Sequence, residues 1–581
     1  MVTWSEVTRW EGAPLQEAVG AINAEYNKLV PASDDLRKLA TPYGWTGEAA
    51  AAAATKVNEL VDRLEAWAAE LAAGRTAAAN VGDAIKGIEN GVSEVETLAA
   101  KQHFAIGDDG AVIDNGPPPD TRPEHAEAVA NERKQIAAEL ADGVKQVIQS
   151  ADDLDNDFCS VLDRILNHQV FDATTNDNSA TSLASAGALG HLAGGLTIPP
   201  PPPEGATAAQ NAAYWATLSD QQRRQLAMDH PGLVGPRDGF TGVHRDIANR
   251  KLLSEERTKI QAAIDELGKD PRAHKNSINV PSQKYEEMQQ LQAKMSSLDS
   301  LEKMTTLPDG QPNPDRQLLL LDMSGERAQA AVSNGNIDTA DHVAVFTPGM
   351  NSAVDQNMNG YVSDMGRIRD DAERMLDTVG NGTVATVTWL GYEPPTTSDP
   401  YDLGDVAGGA EAREGAHKLT SFYDGINESR AEDPHMTALG HSYGSLTTGL
   451  ALHENTGVDD AVFFGSPGIS EGPPANPAEM ASEIDKLQLP DGHAYTLEAD
   501  DDLVADIGNV SSHYGTDPGS MQGMNQLSTE EAISYDGRHL VGSSGHSEYT
   551  KVMPDGTNST SNHNIAAIVA GTPQYAIPAS A

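Results

Sequence analysis

Hydrophobic residues recur every three or four positions along the first 170 residues, which is the period of an amphipathic helix. The sequence predicts two helices over residues 13–105 and a third over residues 124–167. The second helix carries a heptad-like apolar seam, which needs a partner helix; its members are Val57, Leu60, Leu64, Trp67, Leu71, Val81, Ile85, Ile88, Val92 and Val95. The third helix has an apolar face of its own, so residues 1–170 are predicted to form a helical hairpin or bundle.

The pattern changes after residue 170. Residues 171–206 are rich in Ser, Gly and Ala and contain a run of five prolines at 199–203, which indicates a linker. Residues 207–310 are predicted to be a helical lead-in to a second domain over residues 311–581. In that domain an antiparallel hairpin at residues 318–332 precedes short apolar strands that alternate with helices. This alternation predicts an α/β fold with a mostly parallel sheet and helices on both faces, preceded by an all-α domain.

Composition excludes several classes of function. The 581 residues include 39 basic and 86 acidic side chains, a net charge of −47, which argues against binding of nucleic acid because phosphate contacts need clustered Lys and Arg. The N-terminal residues lack the pattern of a signal peptide, and no apolar run is long enough to span a membrane. We therefore expect a cytoplasmic protein or one secreted by a non-Sec route. Cys159 is the single cysteine, so no internal disulfide is possible, and we expect its side chain to be buried.

The stretch Gly440-His441-Ser442-Tyr443-Gly444 follows a short apolar run and precedes residues at helical spacing. A serine between two such glycines is typical of a sharp strand-to-helix turn that lifts the hydroxyl above a sheet. Ser442 is therefore a candidate nucleophile, and the N–H of Tyr443 at the helix start is a candidate oxyanion donor. The alternative is a purely structural glycine-rich turn.

A hydrolase with such a turn carries its nucleophile, acid and histidine in that order along the chain. After the predicted strand 494–498 comes a run of three aspartates, Asp500, Asp501 and Asp502. We favour Asp502 as the acid because Leu503 and Val504 would anchor the following turn. The other two aspartates stay open, as does the alternative of a solvated acidic turn.

Two loops supply the remaining candidate groups. His546 lies in a Gly- and Ser-rich loop near the C-terminus and is the favoured base, with His513 and His493 as rivals. The loop after the strand 342–346 contains Gly349, which would let the backbone N–H of Met350 turn inward as the second oxyanion donor. Its alternative is an ordinary Pro-Gly turn. Neither a cofactor nor a metal is expected, because no second ligand cluster accompanies the aspartates.

Residues 205–580 resemble a family of α/β-hydrolase domains from actinobacteria whose function is long unassigned. The stretches that carry the likeness are 213–219 (AYWATLS), 238–240 (DGF), 245–250 (RDIANR), 345–350 (VFTPGM), 389–392 (WLGY), 440–444 (GHSYG), 464–468 (FGSPG) and 545–549 (GHSEY). The resemblance implies the fold and the Ser-His-Asp triad. In that family Pro-Val usually follows the acid, whereas Leu503 stands here, so the choice among the aspartates stays open.

Between the first two predicted helices lies Trp45-Thr46-Gly47. A helical hairpin with Trp-x-Gly at its bend resembles the WXG family of type VII secretion substrates, which pair into four-helix bundles. The resemblance implies a helical secretion partner that binds residues 1–170. The alternative is a helical spacer.

Taken together, these features predict a serine hydrolase that cleaves a carboxylic ester, small or lipid-like, through an acyl-enzyme intermediate. We expect the acyl group to lie near Trp389, Tyr392 and Tyr443. The alternative is a secretion-associated interaction protein or effector whose hydrolase fold is cargo or non-catalytic.

Overall fold

The computed structural model describes residues 2–40, 47–116, 126–170, 198, 200–216, 218, 220–274, 282–380, 382–396, 409–430, 432–454, 456–472, 484–507, 514–553 and 556–579. By its contacts the chain divides into two compact units, Met1–Arg223 and Arg224–Ala581. The helix Ala208–Ala216 belongs to the first unit, whereas the sequence grouped it with the lead-in to the second. The four-part division of the chain stays a prediction. Most of the predicted linker, and Trp45 and Thr46 of the WXG-like motif, lie outside the described residues.

The first unit is built on long helices, as predicted. The main three are Ala13–Ala40, Glu48–Lys101 and Ala126–Leu166. The C-terminal half of the predicted seam, from Val81 to Val95, is buried in one cluster with apolar residues of the third helix; these are Leu140, Val144, Val147, Ala151 and Leu154. The third helix therefore packs on the second within the chain, and the apolar period explains why.

The N-terminal half of the seam behaves differently. Leu60 is 46% exposed and Trp67 is 53% exposed, while Ala68, Ala69 and Ala73 form the buried contact of the same helix. Here small alanines, rather than the larger seam residues, let the neighbouring chain approach. The seam was expected to need a partner helix, and within the described residues these two of its side chains stay exposed.

Cys159 also departs from the prediction, because its side chain is exposed. It lies on the helix Ala126–Leu166 between Phe158, which packs against the buried cluster, and Ser160, which is exposed. The helical period thus turns Cys159 outward. Cysteine as a residue type suggested burial, but the position of Cys159 on the helix makes the side chain exposed.

The second unit contains an eight-stranded sheet. Counting from a small hairpin in the first unit, β1 (Phe104–Ile106) and β2 (Val112–Asp114), its strands are β3 (Leu318–Asp322), β4 (Gln329–Asn334), β5 (His342–Thr347), β6 (Val384–Leu390), β7 (His435–His441), β8 (Asp460–Phe464), β9 (Ala494–Leu497) and β10 (Asn525–Leu527). Their order across the sheet is β10-β9-β8-β7-β5-β6-β4-β3. The six strands from β10 to β6 are parallel, and β4 and β3 add an antiparallel edge. The α/β class predicted from the sequence is confirmed.

Alternate residues of the central strands face opposite layers of helices. In β5, Val343 and Val345 belong to one apolar cluster and Ala344 and Phe346 to another. The first cluster includes residues of the helices Ala410–Glu428 and Tyr443–Leu452, and the second includes residues of Met358–Val379 and Thr560–Val569. Because both faces are buried, the central strands read as continuous apolar runs.

The helix Gly242–Leu267 fastens the edge strand β3 through buried polar side chains. Asn249 is fully buried, and its Nδ2 donates hydrogen bonds to the carbonyls of Gly235 (3.1 Å) and Leu318 (2.8 Å). Asp246 accepts a hydrogen bond from the N–H of Leu318 at 2.6 Å and is held in turn by Arg250. These contacts satisfy the backbone where β3 begins.

No helix in the described part of the chain combines the length and the apolar character that crossing a membrane requires.

Candidate active site

Ser442 occupies a strained turn at the end of β7. The strand ends at His441, the next helix begins at Tyr443, and Ser442 between them has φ 56° and ψ −131°. A non-glycine residue rarely adopts this conformation, and it costs on the order of 1–3 kcal/mol. The N–H of Ser442 donates a hydrogen bond to the carbonyl of Phe464 at 3.2 Å, which ties the turn to the end of β8. The predicted strand, sharp turn and helix are therefore present.

The two glycines of the motif are needed for close packing. A β-carbon at Gly444 would lie 2.2 Å from the carbonyl oxygen of Thr347, and one at Gly440 would lie 2.9 Å from Cα of Ser445. Neither distance leaves room for a methyl group. The glycines thus let the helix after Ser442 pass close to the strand before it and to the loop after β5.

That loop lies directly against the serine. A β-carbon at Gly349 would lie 2.7 Å from Cβ and 3.0 Å from Oγ of Ser442. The N–H groups of Met350 and Tyr443 have no hydrogen-bond partner among the described residues. Two backbone donors that sequence reasoning selected are thus uncommitted near the serine hydroxyl, which is the requirement for an oxyanion site.

Trp389 and Tyr392, two of the residues expected near the acyl group, have largely buried side chains; Trp389 also lines a surface pocket with Gly391 and Phe422. Trp389 and Tyr392 are 1% and 2% exposed, and their rings stack with centroids 5.8 Å apart. The hydroxyl of Tyr392 donates a hydrogen bond to the carbonyl of Pro348 at 2.7 Å. Because Pro348 precedes Gly349, Tyr392 supports the loop that lies beside Ser442.

Asp502 is the aspartate that contacts the candidate base. Both of its carboxylate oxygens lie 3.0 Å from Nδ1 of His546, and its side chain is 0% exposed. Its other partners are the hydroxyl of Tyr549, which donates at 2.7 Å, and the backbone N–H of Val504 at 3.0 Å. Burial raises the pKa of Asp502, but the hydrogen bonds and charge of His546, with those of Tyr549 and Val504, outweigh it and hold the pKa below its usual value. Asp502 therefore stays ionised opposite the imidazole.

The neighbouring aspartates have other surroundings. Asp501 is exposed and accepts hydrogen bonds from the hydroxyl of Ser544 at 2.7 Å and the N–H of Gly545 at 2.6 Å. Asp500 is exposed and has no hydrogen-bond partner within the described part of the chain. Two adjacent carboxylates thus hold one loop. Asp502 binds the ring of His546, and Asp501 binds the backbone just before it.

His546 and Ser442 lie at the same corner of the sheet. A β-carbon at Gly465 would lie 3.2 Å from Nδ1 of His546, and the preceding residue, Phe464, accepts the N–H of Ser442. The side chain of His546 is 27% exposed, so part of it reaches solvent. In the described residues no hydrogen bond joins Oγ of Ser442 to His546. Such contacts are often long without substrate and tighten when it binds.

The rival histidines are elsewhere or outside the described residues. His493 precedes β9, at the amino end of the parallel strands, and its Nδ1 lies 2.7 Å from Asp460. Ser442 is at the carboxyl end of β7, so the length of a strand separates the two. His513 lies outside the described residues.

Sequence reasoning missed two residues that contact this site. The ring of His441 stacks on that of His546, with centroids 4.8 Å apart. The hydroxyl of Tyr549 lies between Asp502 and the N–H of Ala499, from which it accepts a hydrogen bond at 3.0 Å. Both residues belong to the Gly-rich motifs quoted above, and this membership was the available signal. Among the described residues, no group of three or more His, Cys, Asp or Glu side chains is placed to hold a metal ion.

Comparison with known proteins agrees with the fold of the second unit. Residues 324–512 match the model of a family described as alpha/beta hydrolase. That range includes Ser442 and Asp502, whereas His546 lies beyond it. Two uncharacterized proteins of Mycobacterium tuberculosis are similar. Rv0963c is 32% identical over 228 residues, 38% of this chain and 80% of the relative, and Rv2079 is 25% identical over 355 residues, 57% and 49%. The chain belongs to the alpha/beta hydrolase family.

Proposed function

We propose that this protein is a serine hydrolase that cleaves a carboxylic ester through an acyl-enzyme intermediate. Ser442 is the nucleophile, His546 the general base and acid, and Asp502 the carboxylate that orients the imidazole. The backbone N–H groups of Met350 and Tyr443 bind the oxyanion.

The roles follow from the chemistry of each group. Nε2 of His546 takes the proton of Ser442 as Oγ attacks the ester carbonyl, and the imidazolium is stabilised by Asp502. The negative charge that develops on the carbonyl oxygen is bound by the two N–H groups. His546 then returns the proton to the leaving alcohol. A water molecule attacks the acyl-enzyme by the same route in the second half of the reaction.

The single observation that supports this proposal most strongly is the combination of strain and pairing at one corner of the sheet. A serine held at φ 56° lies beside a loop with free N–H groups, across from a histidine that is hydrogen-bonded to a buried carboxylate. Strained backbone, a free oxyanion site and a His–Asp pair are rarely assembled for structural reasons alone.

The proposal is tested by labelling and turnover with matched serine variants. A fluorophosphonate is expected to label the wild-type chain at Ser442, and p-nitrophenyl esters of two to twelve acyl carbons are expected to be hydrolysed. Ser442→Ala should abolish both. The control is Ser363→Ala, because Ser363 is exposed on the helix Met358–Val379 and its hydroxyl only caps the carbonyl of Asn359.

Loss of labelling in Ser442→Ala with normal labelling in Ser363→Ala supports the proposal. A folded wild-type chain that is neither labelled nor active on any ester of the series would show that the serine is not a nucleophile. Turnover that survives in Ser442→Ala would place the chemistry elsewhere.

A further inference from the structure

His441, the residue before the candidate nucleophile, contacts the loop of His546 in two ways. The two imidazole rings stack at 4.8 Å with an interplanar angle of 28°. In addition, Nε2 of His441 lies 2.9 Å from the backbone carbonyl oxygen of His546. One side chain therefore contacts both the ring and the main chain of the candidate base.

The protonation of His441 follows from these contacts. A carbonyl oxygen can only accept a hydrogen bond, so Nε2 of His441 carries the proton and donates it. Loss of hydration lowers the pKa of His441 to about 3, and the positive charge of His546 acts in the same direction. His441 is thus a neutral ring at any pH at which an ester hydrolase works. As a neutral ring it does not repel the imidazolium that forms on His546 during the reaction.

The other groups around His441 are consistent with this state. Phe464 also stacks on this ring, with centroids 5.2 Å apart, and Tyr549 meets it edge-on at 6.2 Å. The charged group nearby is the carboxylate of Asp502, which is already bound to His546 and Tyr549. The ring of His441 is therefore held between aromatic neighbours, with its one donor directed at the loop.

We propose that His441 is a positioning residue for His546: its ring sets the plane of the imidazole, and its N–H fixes the backbone that carries it. This inference rests on the proposed serine hydrolase function. His441 gives the base a second support. Asp502 holds Nδ1 at the edge of the imidazole ring, whereas His441 covers a face of that ring. Together they define both the direction and the tilt of Nε2 toward Ser442.

Three variants separate the two contacts. His441→Phe keeps a ring for stacking and loses the donor, His441→Gln keeps an N–H donor and loses the ring, and His441→Ala loses both. A displacement of about 1 Å in a reacting group can lower the rate about 100-fold. We expect kcat for p-nitrophenyl butyrate to fall by about that factor in His441→Ala, with KM changed less than about threefold, and each partial variant to recover part of the loss.

The measurements distinguish positioning from general damage to the fold. Active sites are counted from the burst of p-nitrophenol, so that kcat refers only to folded enzyme, and thermal unfolding is recorded for every variant. The dependence of kcat/KM on pH is also measured. A shift in the apparent pKa of the base in His441→Phe and His441→Ala, with partial return in His441→Gln, is expected because the donor and the ring both affect the imidazolium.

Each outcome bears on one hypothesis. If the wild type is active and all three variants keep its kcat and pH profile, the inference about His441 is wrong while the hydrolase proposal stands. If His441→Ala does not fold, the Phe and Gln variants decide, and full activity in both overturns the inference. If the wild type itself is inactive and unlabelled at Ser442, it is the proposed function that fails.

Discussion

Replacement of Gly349 by alanine tests whether the loop after β5 is functionally coupled to the serine. The added methyl group would lie 2.7 Å from Cβ of Ser442, 2.9 Å from the carbonyl oxygen of His441 and 3.0 Å from Oγ of Ser442. Gly349 does not have a positive φ, so an alanine is compatible with the backbone there. The perturbation is therefore steric and is directed at the candidate nucleophile.

The size of the effect follows from these distances. Carbon atoms in contact normally lie about 3.5–4.0 Å apart, so either the loop or Ser442 must move by about 1 Å. A displacement of this size in a reacting group costs about 100-fold in rate. The strain of overpacking is about 1–3 kcal/mol in the free energy of unfolding, which leaves a domain of this size folded. Activity should therefore fall far more than stability.

The assay compares Gly349→Ala with Gly360→Ala. Gly360 lies in the helix Met358–Val379, and a β-carbon there meets nothing within 4 Å. We expect kcat/KM on p-nitrophenyl butyrate to fall about 100-fold in the first variant and to stay within about twofold in the second. The free energy of unfolding in urea should stay within about 3 kcal/mol of the wild-type value for both variants.

A Gly349→Ala enzyme with wild-type turnover would refute this reasoning, since the loop could then shift without affecting the reaction. Equal losses of activity in Gly349→Ala and Gly360→Ala would also refute it, because the effect would not depend on distance from Ser442.

Three further predictions concern the groups around this site and the edge of the sheet. Asp502 has a lowered pKa, so its stabilising contribution is complete above its unfolded pKa of about 3.9 and is lost as the pH falls through the folded value. Tyr549→Phe removes one of the hydrogen-bond donors to Asp502, so the free energy of unfolding in urea should rise less between pH 3 and pH 6 in the variant than in the wild type. Identical pH curves for the two proteins would contradict this. Asp501→Ala should lower kcat several-fold, because two hydrogen bonds to the histidine loop are lost, whereas Asp500→Ala should not, and equal rates for the two variants would show that the loop needs no such support. Asn249→Ala removes the hydrogen bonds that the amide donates to the buried carbonyls of Leu318 and Gly235, of which Gly235 keeps a bond from Nε of Arg245. The variant should lose about 1–3 kcal/mol in the free energy of unfolding, measured in urea, and a loss below about 0.5 kcal/mol would contradict the role given to this side chain.

The parts of the fold that the sequence predicted are those with a clear hydrophobic period. The strands predicted at residues 342–346 and 494–498 are His342–Thr347 and Ala494–Leu497 in the structure, and the hairpin of β3 and β4 was also expected. The helix Thr560–Val569 was missed because all ten of its residues are buried, so it shows no polar face. The strand β10 was missed because only its pairing with β9 defines it: two of its three residues, Asn525 and Gln526, are exposed.

Some features of the candidate site could likewise be predicted from a local pattern in the sequence, and others could not. The turn at Ser442 could be predicted because its backbone geometry and close packing require glycines, and glycines are visible in a sequence. The choice among three consecutive aspartates could not be settled, because the residue that faces inward depends on how the turn after β9 is closed by backbone N–H groups. His441 is placed by its contact with His546, 105 residues further along the chain, and Tyr549 by its contact with Asp502, 47 residues earlier. No local pattern encodes either contact.

At Ser442, the positive φ makes thermal stability and catalysis favour different residues. Glycine adopts such angles without strain, so a chain selected only to survive heat would gain by exchanging this serine for glycine. The exchanged chain would keep its sheet and lose its hydroxyl. Persistence of serine here among descendants of this chain would therefore record selection on the reaction itself, and its replacement by glycine would mark lineages in which only the scaffold is still used.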